Sequence, residues 1–231
     1  PYDSWWPIVH WGVRDGDLSG DFPTTAKLIM GSFEREEAAV SDGIKAHLDG
    51  DIHFSPVVIE HLLVKSILGP IYMPCYNVTI TPDNLEAELH YYQEDPSSLG
   101  IQNKCSPSSG KTSSRKRFTS QLAQALEARV RGANQATLLA ILGSVKSDLL
   151  AKNLEIYVND SAIEGLLAKD HLDGAINRNP AIDSTTIIQS NFGVNKGSTQ
   201  VTETINEVIQ MDDSGGAYHN VQLVLDYHPV Q

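Results

Sequence analysis

Gln135-Ala136-Thr137-Leu138-Leu139-Ala140-Ile141-Leu142-Gly143-Ser144-Val145-Lys146-Ser147-Asp148-Leu149-Leu150-Ala151-Lys152-Asn153-Leu154-Glu155-Ile156-Tyr157-Val158 decides the fold class. Leu138, Leu139, Leu142, Val145 and Leu149 recur at helical spacing, and Leu154 to Val158 then alternate with the period of a strand. Upstream, Phe118, Leu122, Ala125, Leu126 and Val130 define a second helix over 114–131, separated from the first by Gly132-Ala133-Asn134. Two long helices running into a strand predict an α/β or α+β chain with a long helical hairpin and a mixed sheet flanked by helices.

The remaining elements follow the same logic. Pro23 opens a helix to about 39 on Ala26, Ile29, Met30 and Phe33. Residues 50–54 read as a strand, and Ser55-Pro56 starts a helix to about 67, stopped by Gly69-Pro70. Short β segments are expected at 71–73 and 77–80, and a helix from Thr81-Pro82-Asp83 to about 93. Asn159-Asp160 caps a helix to about 169, and a β region begins at 186–189. Thr199 to Met211 and Val221 to Tyr227 alternate about Asp213-Ser214-Gly215-Gly216, an antiparallel hairpin with one solvated face. The 231 residues are read as one domain, with 1–22 as an aromatic arm and acidic loop and the Ser/Pro/Gly-rich 94–114 as a flexible loop. The start at Pro1 suggests a processed or truncated product.

The formal net charge of −12 argues against nucleic acid and against an anionic membrane surface as partners. No run of about eighteen apolar residues is present. Cys75 and Cys105 lie outside any zinc spacing; a disulfide and two free thiols both remain open, and the disulfide would tether the longest loop in an oxidising compartment. Trp5, Trp6 and Trp11 share the first eleven residues, as rings locking an arm onto the body or as an aromatic contact surface.

Chemistry concentrates in Trp11-Gly12-Val13-Arg14-Asp15-Gly16-Asp17-Leu18-Ser19-Gly20-Asp21-Phe22-Pro23. Asp15-x-Asp17-x-Ser19-Gly20 imitates the start of an EF-hand, but Ala26 stands where the bidentate glutamate is required. Asp15, Asp17 and Asp21 remain a candidate site for magnesium or calcium; the alternative is a turn-and-cap element in which Arg14 pairs with a carboxylate. Glycine-rich phosphate loops, H-E-x-x-H and G-x-S-x-G are absent. No cofactor is otherwise expected, and the absence of a complete catalytic constellation argues against enzymatic activity in this chain.

The Arg14-Asp15 to Phe22-Pro23 loop resembles a landmark of the bacterial family called domain of unknown function 4012. Two further blocks resemble it in order: Asp49-Gly50-Asp51-Ile52-His53-Phe54-Ser55-Pro56 with Leu62-Leu63 and Gly69-Pro70-Ile71, and Asn191-Phe192-Gly193-Val194-Asn195-Lys196. The resemblance implies a secreted or surface-exposed envelope protein, extracellular or on the cell surface, covering the later part of the domain without its N-terminal half. It is distantly similar to LytR–CpsA–Psr phosphotransferases, which act on polyprenyl-pyrophosphate-linked glycans. That likeness would make Arg14 a phosphate clamp and Asp15 a magnesium ligand. The leading expectation is a domain acting by binding or assembly, with a cell-wall glycan or a second copy as partner. The alternatives are such a phosphotransferase and a self-assembling surface-layer or fibre subunit, whose long C-terminal strands offer edges for pairing.

Overall fold

The computed structural model describes residues 13, 16, 17, 19–40, 47–105, 116–179, 183–189 and 200–228. The chain is a mixture of helices and small antiparallel sheets, as the periodicities require. Where one domain is expected over 1–231, the described residues fall into two compact units, 13–179 and 183–228.

The first unit holds α1 (Phe22–Val40), β1 (Gly50–Phe54), α2 (Pro56–Leu62), β2 (Ile71–Met73), β3 (Val78–Ile80), α3 (Leu85–Glu94), α4 (Leu99–Lys104), α5 (Arg117–Arg131), α6 (Gln135–Ala151), β4 (Leu154–Val158) and α7 (Ser161–Lys169). β1 pairs antiparallel with β4, His53 lying opposite Glu155 and Asp51 opposite Tyr157. β2 pairs antiparallel with β3. α2 is shorter than expected because Leu63 to Leu68 wind into turns that close on Gly69, where a left-handed φ of 71° accepts only glycine without strain.

The largest core lies where α3, α5 and the β2–β3 pair converge. Tyr92 stacks on Phe118 with centroids 4.1 Å apart, and Tyr76 meets both edge-on at 5.0 Å. Such aromatic pairs add about 0.5–1.5 kcal/mol beyond their buried area. Phe22, Ala26, Met30 and Tyr157 form a second core between α1 and β4. Val58, Leu149 and Leu154 form a third under α2 and α6. Only the C-terminal part of α6 is used this way: Leu138, Leu139 and Leu142 on its expected core face are exposed.

Residues 94–105, expected within a flexible loop, are helical turns. Asp95 accepts a hydrogen bond from Ser97 N–H at 2.8 Å, Pro96 sits where no donor is needed, and α4 follows. Gln102 is fully buried and donates to Tyr92 O at 2.6 Å. The remainder of that loop, 106–115, lies outside the described residues.

The second unit is built on β5 (Val201–Met211) and β6 (Ala217–Tyr227), paired antiparallel without interruption from Val201–Tyr227 to Met211–Ala217. Asp212 O accepts from Gly215 N–H, and Gly215 takes a left-handed φ of 86°, the three-residue hairpin loop with its glycine bulge. The β region expected at 186–189 has no strand pairing; 183–189 is held by side chains instead.

Candidate functional site

Phe22 begins α1, and the residues just before it are shaped by capping. Asp21 accepts from Thr24 Oγ1 at 2.5 Å and from Ile176 N–H at 3.2 Å, and its carboxylate faces Arg178 at 3.4 Å. Phe22 N–H donates to Gly174 O at 3.2 Å, so the same corner fastens 174–178 to the helix start. Burial pushes the Asp21 carboxyl upward, but the hydrogen bonds from Thr24 and Ile176 with the Arg178 charge outweigh it and hold the group below its ordinary value.

Asp17 takes a different direction. Its carboxylate lies 3.8 Å from His53 Nε2, on the face of the β1–β4 pair that also carries Asp51 and Glu155. Burial pushes both Asp51 and Glu155 above the usual carboxylate range; His53 opposes the shift in each, and Asp17 adds to it. Gly174 closes over Glu155: a Cβ there would meet Phe22 Cβ at 2.7 Å and Glu155 Oε1 at 2.8 Å, at a φ of 68°.

Of the expected metal set Asp15 lies outside the described residues, and Asp17 and Asp21 face different partners. Asp21 is occupied by Thr24, Ile176 and Arg178, whereas Asp17 faces His53. Among the described residues no group of three or more His, Cys, Asp or Glu is arranged to hold a metal ion, so no step through magnesium or calcium is derived. Arg14, Asp15, Trp5, Trp6 and Trp11 lie outside the described residues.

His61 is engaged by Asp148. Its Nδ1 lies 2.8 Å from Oδ1 of Asp148, a residue only 1% exposed, and Asn153 Nδ2 donates to the same oxygen at 3.2 Å. The pair ties α2 to α6. Cys75 and Cys105 stand at disulfide distance, 2.08 Å between sulfurs, with Cys105 buried in the main core. The sequence leaves that pairing open; the geometry joins the two.

The longest paired strands are those of the hairpin. Opposed residues share a face, so Val201, Ile205, Ile209 and Met211 of β5 lie beside Val221, Leu223, Leu225 and Tyr227 of β6. The other face is mixed: Thr202, Thr204, Asn206, Val208 and Gln210 lie beside Tyr218, Asn220, Gln222, Val224 and Asp226. Among the described residues much of the apolar face is exposed, Met211 at 75%, Leu225 at 54% and Ile209 at 53%. Its ionisable residues hold the segment 183–189. His219 presents Nδ1 to Glu207 at 2.6 Å and Nε2 to Asp183 at 2.9 Å, and Thr185 donates to Glu207 at 2.8 Å. The carboxylates of Glu207 and Asp183 raise the His219 pKa above its ordinary value. Arg178, Glu155 and His219 were missed in the sequence because their partners are remote in the chain; the only available signal was a charged residue interrupting an apolar alternation, as at Glu155 and Glu207.

No family model, curated protein or solved structure matches the chain.

Proposed function

We propose that the chain is a binding or assembly domain of a secreted or surface-exposed envelope protein, and that it engages its partner through the β5–β6 hairpin. The observation that carries this reading is a two-stranded sheet of 11-residue strands with an open apolar face. A lone hairpin is at best marginally stable in water, and contiguous apolar surface of this kind marks an interaction site. The Cys75–Cys105 pair suits an oxidising compartment. No helix among the described residues is long and apolar enough to cross a membrane.

Replacing Ile209 and Leu223 together with serine tests the reading. The wild-type chain should take up a neutral solvatochromic dye at pH 7, and should self-associate in sedimentation runs near the sequence pI of about 5.0, where charge no longer keeps copies apart; the double variant should lose both behaviours while the 13–179 unit keeps its helical circular dichroism. Dye uptake and sedimentation unchanged in the double variant would refute it.

A further inference from the structure

The two outer edges of the hairpin differ, and the difference selects a partner. The closing hydrogen bonds, His228 N–H to Gln200 O at one end and Asp212 N–H to Gly216 O at the other, fix the phase of the ladder. Even-numbered residues of both strands occupy the inter-strand hydrogen-bonded sites, so odd-numbered residues turn N–H and C=O outward along both edges. Among the described residues neither outer edge has a backbone hydrogen-bond partner.

Proteins usually blunt such edges with proline, lysine, a bulge or a charge on the apolar face. Residues 201–227 contain no proline and no lysine or arginine, and outside the glycine of the turn the register has no bulge. β5 keeps two guards: Glu203 and Glu207 interrupt its apolar row. β6 has none beyond His219, because Val221, Leu223, Leu225 and Tyr227 follow without a charge on that face. The addition site is therefore the outer edge of β6 from 221 to 227.

Charge selects what adds there. The hairpin and its turn carry Glu203, Glu207, Asp212, Asp213 and Asp226 with no cationic residue but histidine. A second copy, with the same acidic hairpin and a formal net charge of −12, is repelled. Asp226 is the one charge on the even-numbered face of β6, which it shares with Gln222 and Val224, beside the position that the polar side chains of an added strand would take.

Resting on the binding reading above, we infer that the outer edge of β6 accepts a β-strand from a basic amphipathic peptide, apolar on one side and bearing lysine or arginine on the other. The apolar side extends the row of Leu223, Leu225 and Tyr227, and the basic side meets Asp226.

The full chain is titrated with a nine-residue peptide of alternating valine and lysine, and with its valine–glutamate counterpart, while amide exchange is followed residue by residue. The basic peptide should bind at least about ten-fold tighter, because like charges across an interface exclude the acidic one. Exchange should slow at the outward amides of Val221, Leu223, Leu225 and Tyr227. Leu225→Pro removes one outward N–H without touching an inter-strand bond, and should abolish binding where Leu225→Ala only weakens it. Asp226→Lys should reverse the preference between the peptides. Equal binding of both peptides, protection on β5 or in the 13–179 unit, or no binding at all would overturn the inference. If peptide binding fails while the serine double variant still loses dye uptake and self-association, the hairpin remains an interaction surface with a different occupant. If both fail, the underlying reading falls with it.

Discussion

Gly174 shows how tightly one position can be specified. Its left-handed φ and the approach of Phe22 and Glu155 leave no room for a methyl group. Gly174→Ala should destabilise the 13–179 unit by about 1–3 kcal/mol, read as a lower denaturant midpoint with an unchanged slope. Glu155 responds to pH with a definite sign. Its folded pKa is raised, so its contribution is fully present below the unfolded value and is lost as pH rises through the folded value. Glu155→Gln should therefore be more stable than wild type at pH 7, with the difference vanishing near pH 4; a pH-independent difference would contradict the burial argument. The sequence showed Asp21 as a capping residue and showed the acidic loop as a landmark. It could not show that Arg178 supplies a cation to Asp21, nor that Glu155 faces His53, since pairing across remote segments leaves no local periodicity.

Among the elements, β1, β4 and β5 were legible within two residues because alternation is a local property, whereas β6 starts at Ala217, four residues before the expected Val221. α6 was legible as a helix and misread as to burial. Its apolar run continues beyond the part that Val58 and Leu154 cover, leaving Leu138, Leu139 and Leu142 in solvent. The turns at 94–104 were hidden by their Ser/Pro composition, which also suits short capped helices. The Cys75–Cys105 link encloses these turns with a sequence separation of 30. In the loop-entropy account such a link is worth about 3–4 kcal/mol, so reduction should lower the melting temperature by roughly 10 °C. A scan unchanged by reductant would count against the bond.

The clasp on the hairpin is an element-scale pH device. An imidazole donates from both nitrogens only when protonated, and His219 faces a carboxylate on each side, with Thr185 bonded to one of them. Because its folded pKa is raised, the clasp is fully held below the unfolded value and loosens as pH rises through the folded one. Amide exchange at 183–189 should accelerate across that interval, and His219→Gln should remove the pH dependence. Exchange that is flat with pH in the wild type would show that the carboxylates do not hold the ring.

At the scale of the whole molecule, charge and apolar surface act against each other. The net charge of −12 keeps copies apart at neutral pH although the hairpin face is open. The repulsion disappears near the sequence pI of about 5.0. Light scattering should therefore rise as pH falls toward 5, and the Ile209 and Leu223 serine variant should scatter less. The helix-and-strand mixture was readable from periodicity, whereas its division into three two-stranded pairs and two compact units was not, because contact between distant segments sets both. The Cys75–Cys105 bond also has a topological consequence. Proteolysis at any single peptide bond from 76 to 104 would leave both fragments covalently joined, adding only the mass of one water until a reductant separates them. A chain running as one band without thiol and as two with it would carry a record of surface cleavage that an ordinary non-reducing gel conceals.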